Sequence, residues 1–157
     1  MRRLTIGVTA CTEIMGLLVA MAWADGVLEP EEKDGIRDAA KTLNLNQELR
    51  NRLESFMEEA VPISSVDFES LNPRDREFAY VACAWMARVD SGVDDSERDL
   101  LEKIGMLLEI PSGRRNQLDE LAFDLDAPSE GWSQGIVTLF RAIVKRVEEE
   151  DVDVIFA

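Results

Sequence analysis

The sequence predicts an all-α protein of about seven helices: two copies of a three-helix unit, followed by one C-terminal helix. Three observations predict this class. Apolar residues recur at the spacing of amphipathic helices, no long stretch alternates as a strand does, and the sequence resembles itself at an offset of 65 residues. Since 157 residues with 46% hydrophobic content can bury one core, residues 1–157 are predicted to form a single domain.

The internal repeat covers about residues 10–60 and 75–125. Pairs of residues that coincide at the offset are Asp25 with Asp90, Glu32 with Glu97, Asp34 with Asp99, Leu43 with Leu108, Leu45 with Ile110, and Leu53 with Leu118. Because the matches fall on both apolar and turn positions without a gap, we interpret them as two copies of one three-helix unit.

The helices of the first copy are predicted over about Ala10–Ala24, Pro30–Leu43 and Gln47–Ala60, and those of the second over about Pro73–Val89, Asp95–Leu108 and Ser112–Leu121. The linker Val61–Leu71 is rich in Ser, Asp and Pro, which predicts a surface connection. An amphipathic helix over about Ser129–Glu149 is expected to pack across both copies. Apolar and polar residues alternate only in part over Val152–Phe156, and this terminal segment is too short to predict a strand.

The N-terminus allows two interpretations. Met1-Arg2-Arg3, an apolar run and the segment ending at Cys11 have the outline of a bacterial lipoprotein signal. The run before Cys11 is too short for a secretory segment, however, and it contains two threonines. The repeat explains the segment better, so Cys11 and Cys83 are expected to be buried free thiols of a cytoplasmic protein.

The charge of the chain limits its partners. It has 32 acidic and 17 basic residues, a net charge of −15, which disfavours nucleic acid and allows at most peripheral membrane association. Cations and basic surfaces of other proteins are the expected partners, and the sequence leaves the oligomeric state undetermined. There is no histidine, which removes the Ser-His-Asp and Cys-His arrangements but not carboxylate chemistry. Since nothing in the sequence places two carboxylates around a substrate, no enzymatic activity is expected.

Acidic turns join the first and second helices of both copies. Each has an Asp at the end of one helix, Asp25 or Asp90, and a Glu seven residues later, Glu32 or Glu97. One interpretation is structural: Asp94 and Glu97 form a capping box, and carboxylates in a first helical turn favour the helix dipole.

The other interpretation is a metal site. Asp25 and Asp90 face the negative end of a helix dipole, and a cation would offset that cost. Oxygen ligands suit calcium or magnesium, although the spacing is not that of an EF-hand. The candidate ligands are Asp25, Glu32, Asp90 and Glu97, with Glu31 and Asp94 as second choices. Both interpretations remain open from the sequence.

The first copy resembles the TerB-like family of tellurite-resistance proteins. The residues that carry the resemblance are Met21-Ala22-Trp23-Ala24-Asp25-Gly26, Glu31-Glu32, Leu43 and Leu45. The second copy departs from the motif, because its glycine comes one position later, at Gly92. The resemblance implies a compact all-α cytoplasmic protein of a stress-response system that binds divalent metal through acidic residues and acts in a protein assembly. The alternative is a protein-interaction scaffold whose acidic turns are only helix caps.

Overall fold

The structure, a computed structural model, describes residues 2–23, 30–59, 62–89, 95–124, 141–142, 145 and 152–156. The elements in chain order are β1 (Arg2–Ile6), α1 (Val8–Ala22), α2 (Pro30–Thr42), α3 (Gln47–Glu58), two 3-10 turns (Ile63–Ser65 and Phe68–Ser70), α4 (Pro73–Val89), α5 (Asp95–Leu107), α6 (Ser112–Asp124) and β2 (Val152–Phe156). The described part is therefore mostly helical, which confirms the all-α class. Most of the helix predicted over Ser129–Glu149 lies outside the described residues, although Arg141, Ala142 and Lys145 are helical.

A short parallel ribbon joins the two ends of the chain, and the sequence patterns did not predict it. β1 pairs with β2 in a register that runs from Arg2 opposite Val152 to Ile6 opposite Phe156. The side chain of Ile6 is fully buried, so the ribbon is attached to the helical core. Each strand is five residues long, and its pairing partner lies at the far end of the chain. The local sequence pattern therefore gave little indication that these two strands pair.

Helix α1, in the first predicted unit, is buried on all sides from Ala10 to Val19. It packs against α3 and α4, with smaller contacts to α5 and the second 3-10 turn. Gly16 allows the close approach of α3, because a β-carbon there would lie 3.0 Å from Cε2 of Phe56. The indole Nε1 of Trp23 donates a hydrogen bond to the carbonyl of Phe56 at 3.1 Å. α3 is thus in close contact with Gly16 of α1 and with Trp23 at the end of α1.

Helix α4, in the second predicted unit, contacts α6, α1 and α5. Phe78 and Cys83 on this helix are fully buried. The hydroxyl of Tyr80 donates a hydrogen bond to Asp119 of α6 at 2.9 Å. Burial and this bond raise the pKa of Tyr80. Since α1 and α4 also pack on each other, one core runs through both units.

The second and third helices of each unit are connected by turns of the same geometry. Asn44 and Glu109 are the two described non-glycine residues with positive φ, at 62° and 59°. In each turn the next amide bonds back across five residues, Leu45 to Ala40 at 3.1 Å and Ile110 to Gly105 at 3.2 Å. This pattern is the Schellman motif, in which the residue after the helix takes the left-handed conformation.

The linker between the units is only partly a surface connection. Most of its described residues are exposed, as predicted, but Val66 and Leu71 are buried at 4% and 3% exposure. The two 3-10 turns therefore anchor the linker to the core. None of the helices in the described ranges is long and apolar enough to cross a membrane.

Candidate functional site

The predicted acidic sites fall at two helix junctions that the structure defines only by their ends. α1 ends at Ala22 and α2 begins at Pro30, whereas α4 ends at Val89 and α5 begins at Asp95. Three predicted ligands, namely Asp25, Asp90 and Asp94, lie outside the described residues. Glu31, Glu32 and Glu97 lie in the first turns of α2 and α5, and their side chains are likewise outside the described part. Metal binding by these six residues therefore stays a prediction.

The helix bounds do settle the helical position of two of these residues. Glu32 is the third residue of α2, and Glu97 is the third residue of α5. This is the position at which a Glu side chain can reach back to the residue before the helix in a capping box. Among the described residues, no group of three or more His, Cys, Asp or Glu side chains is placed to hold a metal ion.

A buried glutamate of α1 pairs with a partly exposed arginine of α3, and the sequence patterns did not single this pair out. Glu13 lies in the apolar helix α1 with 4% of its side chain exposed, and its Oε1 is 2.6 Å from Nε of Arg52 on α3. Nη2 of Arg52 also donates to the carbonyl of Ser65 in the linker at 3.0 Å. The other carboxylate oxygen of Glu13 is buried without a hydrogen-bond partner among the described residues. The sequence signal that could have identified this pair is the acidic residue Glu13 within an apolar helix.

The two cysteines are free and buried, as predicted. Burial raises the pKa of Cys83 to about 12. Burial, and secondarily the charge of Asp75, raise the pKa of Cys11 to about 12 as well. Both thiols are therefore protonated at neutral pH and shielded from reagents. Cys11 lies within α1 with no exposed surface.

Asp75, on the first turn of α4, is another buried carboxyl group, at 5% exposure. Burial raises its pKa, while the nearby charge of Arg74 opposes that shift. Its backbone amide donates to Asn72, the N-cap of α4, at 2.8 Å. Asp75 is therefore part of the start of α4, directly before Arg76.

Arg76, one residue further along α4, contacts both the linker and the α5–α6 turn. Its Nε donates to the carbonyl of Leu71 at 3.0 Å, and its Nη2 donates to the carbonyl of Phe68 at 3.1 Å. Its Nη1 lies 3.0 Å from Oε2 of Glu109 and 3.5 Å from the carbonyl of Leu108. These bonds fix the plane of the guanidinium group.

A cleft opens beside this arginine, and we call it the Arg76 cleft. Its volume is about 310 Å³. Its apolar walls come from two prolines and from two residues that follow α5; these are Pro73, Pro111, Leu108 and Ile110. Its charged lining residues are Arg76, Glu77 and Glu109. The carboxylate of Glu77 is already paired, because Arg114 bonds both of its oxygens at 2.6 and 2.9 Å.

Comparison of the chain with family models, with curated proteins and with solved structures found no match in any of the three.

Proposed function

We propose that this chain is a non-enzymatic, TerB-like stress-response module of the cytoplasm. In this proposal it binds a divalent cation of the calcium or magnesium type through its two acidic helix junctions and acts in a protein assembly. The ligands would be Asp25, Glu32, Asp90 and Glu97, with Glu31 and Asp94 as second choices. Oxygen ligands of this kind suit a hard cation.

The observation that carries the proposal is the correspondence between the two junctions. α2 begins at Pro30 and α5 begins at Asp95, 65 residues later, which is the offset of the sequence repeat. The positive-φ residues Asn44 and Glu109 are separated by the same 65 residues. These matches support the proposal that the two three-helix units are copies of one unit, each with an Asp and a Glu at its first junction. The net charge of −15 adds a long-range attraction for cations.

A protein-interaction scaffold is the second candidate, and a different observation favours it. Glu32 and Glu97 each stand third in their helix, the position of a capping box. A carboxylate that bonds the backbone of its own helix start needs no cation. In that case the acidic surface would serve only to dock basic partner proteins.

Calorimetric titration of the metal-free protein with calcium, magnesium and manganese distinguishes the two candidates. The test variant is Asp25→Asn/Asp90→Asn. The matched control is Asp34→Asn/Asp99→Asn, which removes the same charge at another repeat-related pair, both exposed on α2 and α5. Saturable binding that is lost in the test variant and retained in the control supports the cation module.

Two other results would count against a cation site. Equal weakening in both variants would mean that cations bind only to the general negative charge of the surface. Heats that do not saturate in any of the three proteins would leave capping as the role of these residues. The scaffold would then be the better proposal, and pull-down with basic bait proteins would follow.

A further inference from the structure

We draw no further inference here: the strongest candidate, the patch formed by the exposed apolar side chains of Met106 and Leu107 on the last turn of α5, carries none, because nothing in the described part of the structure shows what covers it.

Discussion

Replacing Arg52 by methionine is expected to destabilise the fold, because it leaves Glu13 as an unpaired charge inside the helical core. The carboxylate has one strong partner, Nε of Arg52 at 2.6 Å, and only 4% of the Glu13 side chain is exposed. Water cannot easily replace the lost partner at such a position. Breaking a buried pair by removing one member typically costs about 3–5 kcal/mol.

The expected loss in the free energy of unfolding is smaller, about 2–3 kcal/mol, because the Arg52 side chain is 38% exposed and water reaches that end of the pair. The double variant Glu13→Met/Arg52→Met removes both charges and should lie within about 1 kcal/mol of the original protein. The lost bond from Arg52 to Ser65 is common to both Arg52 variants, so it cancels when those two variants are compared with each other.

Urea unfolding followed by circular dichroism measures these differences. Arg37→Met is the matched control, because Arg37 also forms a 2.6 Å pair, with Glu54, but 34% of the Glu54 side chain is exposed. Its loss should cost less than about 1 kcal/mol. If Arg52→Met costs no more than Arg37→Met, or if the double variant is as unstable as Arg52→Met alone, then Glu13 is not a buried charge held by Arg52.

Three further predictions follow from other described residues. The pKa values of Cys11 and Cys83 are about 12 in the folded protein against 9.0 for an unperturbed cysteine, so their stabilising contribution is full below pH 9 and is lost as pH rises towards 12. Urea unfolding at pH 8 and 10 should show a loss of about 1 kcal/mol per thiol, and a difference unchanged by Cys83→Ala would contradict this. Trp23→Phe removes the indole donor and should cost about 1 kcal/mol, measured in the same way; an unchanged midpoint would mean the bond contributes nothing. Asn44→Ala should lower stability by about 1 kcal/mol and Glu109→Gly should raise it, because both sites have positive φ; opposite signs would refute the Schellman geometry.

The helical class could be read from the sequence because the signal is local. The apolar spacing, Pro30 and the N-cap Asn72 all act within one or two turns of the chain. The bounds of α2 and α5 consequently match the predicted helix starts. Helix α1, which is buried from Ala10 to Val19, was also predicted, over about Ala10–Ala24.

The candidate sites were less accessible to sequence reasoning. Sequence patterns could name the acidic turns, because a carboxylate beside a helix end is a local feature. They could not show that Arg76 meets Glu109, since Arg76 lies in α4 and Glu109 in the α5–α6 turn, and their 3.0 Å contact depends on how these two elements pack. Nor could they show that Arg52 is the partner of Glu13, a pairing that requires α1 and α3 to be in contact.

The sequence alone thus determined the bounds of the described helices α1 to α6 to within a few residues, because those depend on interactions among neighbours in the chain. Only the tertiary structure decided the ribbon between Arg2–Ile6 and Val152–Phe156, the anchoring of the linker through Val66 and Leu71, and the cleft beside Arg76. Each of these depends on residues distant in sequence. Packing of the helices around one apolar core brings them together, and no local pattern encodes that packing.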